Sequence, residues 1–180
     1  DIYVRSQFIS NTNNTRALEL QNATFQIGTN VNYNHVVRDP WNTSNSANMT
    51  INGGLIHIMP GAANVYKRLH FGNGNLQYDR VLLEANAYEM EVRGSANFHE
   101  AEWNANLRIT GDNNYDTLAF NGGYTYRFQA GRTQTLNAPH GNMRSRNVGP
   151  SNFINLETTA AGSLAYLHKD YGNTFCLSYI

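Results

Sequence analysis

Lysine is nearly missing from this chain, which holds only Lys67 and Lys169 in 180 residues. Eleven arginines carry almost all of the positive charge. Guanidinium groups suit carboxylate pairing and aromatic stacking. Charged residues make up 14% of the sequence, and acids and bases balance at thirteen each. Without a basic excess or patch, a nucleic-acid partner is not expected. The single Cys176 excludes an intrachain disulfide. It lies between Phe175 and Leu177 and reads as a small core residue, because a reactive thiol needs an electropositive, partly exposed niche. No apolar run approaches the roughly 18 residues of a membrane helix, and no signal-type segment is present. The chain begins at Asp1 rather than Met, which reads as a processed product or an excised domain. This length is expected to form one domain over 1–180, burying about 70% of its unfolded surface without staples.

What the chain has in quantity is asparagine, 27 residues of it. Asparagine bonds local backbone and tolerates left-handed conformations, so it favours turns over helix or strand interiors. Between the polar turns, alternation of period two recurs. Tyr88, Met90 and Val92 alternate with Glu89, Glu91 and Arg93. Tyr124, Tyr126 and Phe128 alternate with Thr125, Arg127 and Gln129. Phe25 with Ile27, Met49 with Ile51, and Leu107 with Ile109 are shorter pairs. Residues 174–180 are apolar on both faces and read as a buried central strand. Helical candidates are limited to 62–69 and 96–106. The fold class expected is all-β, a jelly roll or β-sandwich of about eight to ten antiparallel strands. Residues 1–24 are polar and read as an N-terminal arm or an edge strand. No repeat of fixed period is evident.

The polar stretches 38–48 and 137–152 read as long loops, where recognition usually sits. Trp41, beside Arg38 and Asp39, is the leading candidate for an exposed recognition aromatic, with Trp103 second. Arg144 and Arg146, with His140 nearby, could grip an anionic group. Four glycosylation sequons begin at Asn13, Asn22, Asn42 and Asn48. Six histidines lack metal-ligand spacing, and His99 with Glu100 and Glu102 is the best local cluster. It reads as a solvated face. Glu89 and Glu91 share one strand face, as alternation on any solvent edge would give. Nucleophile elbows and phosphate loops are absent. No catalysis, metal or cofactor is therefore expected.

Three stretches resemble the jelly-roll heads of C1q/TNF-like proteins and viral fibre knobs. NMTINGGLIHIMPGAANVY, from Asn48 to Tyr66, resembles their strand, Gly turn, strand, Pro-Gly run. Val81 to Ile109 resembles their order of an apolar edge, a Tyr strand, a small-residue strand and an Arg strand. The ending GSLAYLHKDYGNTFCLSYI resembles their closing strand pair. The resemblance covers about half the chain. It implies a ten-strand jelly roll that forms a compact homotrimer and binds a receptor or surface.

The function expected from these readings is a non-catalytic, receptor- or surface-binding head of a viral or phage fibre, spike or secreted adhesive protein. Its place would be extracellular or on a virion surface. It is expected to be a homo-oligomer, a trimer above all, with Tyr-rich strands near 124–128 and 175–179 as the apolar flank. Its partner would be a cell-surface receptor or a glycan. A capsid or coat subunit and a secreted carbohydrate-binding lectin are the alternatives.

Overall fold

The structure, a computed structural model, describes residues 1–5, 7–28, 38–59, 66–85, 88–137 and 142–169. Its strands are β1 (Ile2–Val4), β2 (Phe8–Ile9), β3 (Arg16–Ile27), β4 (Trp41–Asn42), β5 (Met49–Ile58), β6 (Lys67–Leu83) and β7 (Met90–Trp103). They continue as β8 (Leu107–Ile109), β9 (Asn113–Asn121), β10 (Thr125–Phe128), β11 (Thr133–Leu136), β12 (Asn142–Arg146), β13 (Asn155–Thr158) and β14 (Tyr166–Lys169). The protein is all-β, and the described residues contain no helix. The helical candidate at 96–106 falls largely in β7. That at 62–69 enters β6, with its first residues outside the described ones.

Every pairing between these strands is parallel. The antiparallel jelly roll is thereby corrected. Alternation of period two reports which side of a strand is buried, and it is silent on the direction of the neighbour. A parallel neighbour requires a crossover, because a tight hairpin reverses the chain. Here the crossover is the rest of one turn of a coil. The chain lays each turn in parallel register on the turn before, as a β-solenoid does.

The coil is seen most directly in its internal columns. Phe8, Trp41, Leu69, Val92, Ile109, Phe128 and Thr158 succeed one another in register, one from each of seven turns. A second column runs Val4, Ile27, Ile58, Leu83, Trp103 and Phe120. A third stacks Tyr78, Phe98, Tyr115 and Leu136. Its aromatic rings lie 5.4 and 5.3 Å apart and nearly parallel. Such ring pairs add about 0.5–1.5 kcal/mol each beyond area burial. The residue separation per turn varies from 17, between Val92 and Ile109, to 33, between Phe8 and Trp41. That variation is why no fixed period is visible in the sequence.

The corners explain two compositional oddities. Gly72, Gly94 and Gly111 sit on successive turns with φ of +92°, +102° and +85°. A Cβ on Gly94 would lie 2.2 Å from the carbonyl oxygen of Gly72, and one on Gly111 would lie 1.9 Å from that of Gly94. Only glycine lets these backbones approach so closely. Asparagine, in turn, bonds from one turn to the next. Asn114 Nδ2 donates to Asn97 Oδ1 at 2.8 Å, and Asn147 Nδ2 donates to Asn121 Oδ1 at 2.7 Å. Side-chain amides stacked at the roughly 4.8 Å strand spacing can donate along the stack and accept from it. Several of the 27 asparagines thus serve as ladder rungs as well as turn residues.

Residues 1–24 hold β1, β2 and the first part of β3, with β1 at the edge of the strand order. The apolar strand read at 174–180 and Cys176 lie outside the described residues. No helix among the described residues is long and apolar enough to cross a membrane.

Candidate functional site

Two sequence candidates fall inside the coil. Trp41 and Trp103 are both fully buried, so neither is an exposed recognition aromatic. Trp41 is in β4, stacked on Phe8 at 4.7 Å between ring centroids and in register with Leu69. The polar residues around it in sequence turn outward or bond to the backbone, as Thr43 Oγ1 does to the carbonyl of His70. Tyr126 and Phe128 are buried as well, so they furnish core rather than an exposed apolar flank.

The arginine candidates separate. Arg38 and Arg144 are exposed, Arg144 on β12 rather than in a loop. Arg146 is half-buried, 3.2 Å from Glu102 and 3.6 Å from Glu100. It is engaged by carboxylates of its own chain. His140 lies outside the described residues. The structure does not gather these residues into one site. Of the sequon asparagines, Asn13, Asn22 and Asn48 are exposed and Asn42 is half-buried. Asn48 Nδ2 donates to the Asn13 carbonyl at 3.0 Å.

What the fold does build is a groove where its regular stacking is interrupted. β5 and β6 pair through Leu55–Ile58 and Arg80–Leu83. Before those residues the two strands are not paired with each other, while β5 stays paired with β3 and β6 with β7. Both flanking strands are bulged there. β3 shifts register against β5 between Glu19 and Thr24, and β6 shifts against β7 between His70 and Gln77. Bulges bend a strand and re-aim its side chains, and they gather next to functional sites. Gln21, on the first bulge, holds a left-handed φ of +52°. The groove that results has a volume of about 570 Å³.

Its walls are chemically distinct. Gln21, Asn22, Asn52 and Gln77 present amides, and Ile51 and Gly53 give apolar and bare backbone surface. Asn52 Nδ2 donates to Glu19 Oε1 at 2.6 Å, which fixes that amide. Asp79 and His99 complete the far wall. They come from consecutive turns, since Tyr78 pairs with Phe98 and Arg80 with Glu100 on either side of them. Asp116 continues the column on the next turn. His99 Nδ1 is 2.8 Å from Asp116 Oδ2, and Asn137 Nδ2 donates to Asp116 Oδ1 at 2.9 Å. The hydrogen bond to Asp116 raises the His99 pKa above its ordinary 6.5, with the charges of Asp116, Asp79 and Glu100 adding to the effect against partial burial.

No protein-family model, curated protein or solved structure matches this chain.

The chemistry of the groove therefore rests on its own residues. Each side-chain amide offers donors and an acceptor within one group, which is what a sugar's neighbouring hydroxyls require. The described residues hold no group of three or more His, Cys, Asp or Glu side chains placed to bind a metal. A second hollow, of about 240 Å³, lies between β10, β13 and β14 near the last described turn. Phe128, Leu156, Ala165 and Leu167 make most of it apolar, with few converging polar groups.

Reading the sequence singled out His99 and set it beside Glu100 and Glu102. Its real companions, Asp79 and Asp116, lie 20 and 17 positions away. Gln21, Asn52 and Gln77 were missed, and Asn22 was singled out only as a glycosylation sequon. A signal existed in the Asn52-Gly53-Gly54 turn, but not one that points to Gln77.

Proposed function

We propose that this protein is a non-catalytic, surface-displayed β-solenoid that attaches a virion or cell to a glycan-bearing surface. The groove between β5 and β6 is its grip. This reading joins the attachment head and the lectin expected from the sequence, on a different scaffold. The observation that carries it is the interrupted stack, where two bulged strands leave a polar groove lined by Gln21, Asn22, Asn52 and Gln77. Ligand sites combine a preformed hollow with a few placed polar groups. A rigid coil supplies the first, and amides fixed by neighbours such as Glu19 supply the second.

A glycan array probed with the purified chain tests the reading. Binding to a defined set of glycans is expected, and Gln77→Ala and Asn52→Ala should each weaken it by about fivefold to tenfold, one lost hydrogen bond apiece. An array with no signal, or binding that neither substitution alters, would remove the groove from consideration.

A further inference from the structure

Three asparagines in the chain are followed directly by glycine: Asn52, Asn73 and Asn121. Such a pair can modify itself, because glycine has no side chain to shield its backbone nitrogen from the neighbouring side-chain amide. The fold treats the three pairs differently. Asn121 is buried, its Oδ1 accepts from Asn147 Nδ2 at 2.7 Å, and the Gly122 N–H donates to the Arg146 carbonyl at 2.9 Å. The nitrogen that would attack is therefore already engaged. Asn52 is exposed, but it pairs with Glu19 in the ladder, and its Nδ2 donates to Glu19 Oε1 at 2.6 Å. Gly53 packs against Gln21, whose carbonyl oxygen would lie 2.5 Å from an added Cβ. Asn73 is held least. It is exposed, in the bulged stretch of β6, where register against β7 shifts on both sides of it. Its Nδ2 donates at a long 3.3 Å to the Ser44 carbonyl. The bonds from Asn73 N–H to Ser46 Oγ and from Asn97 Nδ2 to the Gly74 carbonyl involve neither reacting atom. Gly74 is exposed too, with φ of +92°, and the nearest atom to an added Cβ would be the Ser95 carbonyl oxygen at 3.8 Å.

We infer that Asn73 is a site of spontaneous deamidation, and that in the folded protein it reacts ahead of Asn52 and Asn121. The Gly74 nitrogen attacks Asn73 Cγ and closes a cyclic imide. The Cγ–Nδ2 bond breaks, and the side-chain nitrogen leaves as ammonia, taking the proton that Gly74 N–H gives up. Water then opens the imide at one of its two carbonyls. Opening at Cγ leaves aspartate. Opening at the main-chain carbonyl leaves isoaspartate, whose chain continues through Cβ. The sum is amide plus water giving carboxylate plus ammonium, with nothing oxidised or reduced. The bulge accommodates the extra main-chain atom, because the ladder is already interrupted there. The product gains one negative charge, on a chain whose acids and bases balance, and it loses the donor to Ser44. This chemistry needs no ligand and is independent of the glycan reading.

Incubating the native protein at mildly alkaline pH and mapping its peptides by mass spectrometry tests it. Asn73 should convert about tenfold or more faster than Asn52 and Asn121, which must open locally before they can react. An acidic species should grow in on ion exchange at the same rate. In denaturing urea the selectivity should largely collapse, since all three sites share the Asn-Gly dipeptide. Asn73→Gln, which would have to close a larger ring, should remove the early acidic species, with circular dichroism checking that the variant is folded. Native conversion led by Asn52 or Asn121 would overturn the inference. So would a native Asn73 that stays intact while the unfolded chain reacts at all three sites, or an early acidic species that survives Asn73→Gln.

Discussion

His99 Nδ1 and Asp116 Oδ2 lie 2.8 Å apart, although 17 residues separate them in the chain. One turn of the coil brings them together. This bond is the main cause of the raised His99 pKa. Asp116→Asn should therefore bring the His99 titration back towards its ordinary value, read from its ring proton shifts by NMR. The sign for stability follows. A raised folded-state pKa contributes stability that is fully present below the unfolded value near 6.5 and is lost as pH rises through the folded value. Because the His99 side chain is 62% exposed, solvent screens the pair and the stability change should be small. A His99 titration unchanged by Asp116→Asn would show that the pair does not form in solution.

Both tryptophans are fully buried. The protein should emit at short wavelength, resist quenching by iodide, and shift to long wavelength only on unfolding. Trp41→Ala should destabilise the fold by about 3–5 kcal/mol, since it empties the column between Phe8 and Leu69. Ready quenching of the native protein would place Trp41 back on the surface.

The glycine column sets a contrast. Gly94→Ala combines a φ of +102° with a Cβ 2.2 Å from the Gly72 carbonyl oxygen. It should cost about 3 kcal/mol or more, as strain and steric overlap together. Gly131→Ala also demands a positive φ, +74°, but meets nothing within 4 Å. Its cost should be about 1–2 kcal/mol, the conformational term alone. Similar midpoints for the two variants in urea would contradict the stacked corner.

The amide ladder is testable at Asn114. Its Nδ2 donates to Asn97 Oδ1 on the preceding turn. Asn114→Ala should cost about 1 kcal/mol, the net worth of one hydrogen bond. A neutral result in denaturant melts would reduce the ladder to ordinary surface polarity.

These relationships mark what reading the chain by itself could reach. Met90 with Val92, Leu107 with Ile109, and Phe25 with Ile27 were legible as buried strand faces, because a strand's alternation is written in adjacent residues. Trp41 was not. Its neighbours in sequence are polar, and the residues that bury it, Phe8 and Leu69, are 33 and 28 positions away. The groove was illegible for the same reason. Gln21, Asn52, Gln77 and Asp79 meet only because turns of unequal length stack, and bulges at Gln21 and before Gln77 change the count again. Strand direction, too, depends on what the chain does over a whole turn.

The central claim is the location of the grip, and NMR shift mapping with the strongest glycan from the array tests it most directly. The account predicts that perturbed backbone amides cluster at Gln21, Asn22, Asn52, Gln77 and His99, on strands that share no local sequence. Perturbations centred elsewhere, for example on the apolar hollow lined by Phe128, Leu156 and Leu167, would contradict it.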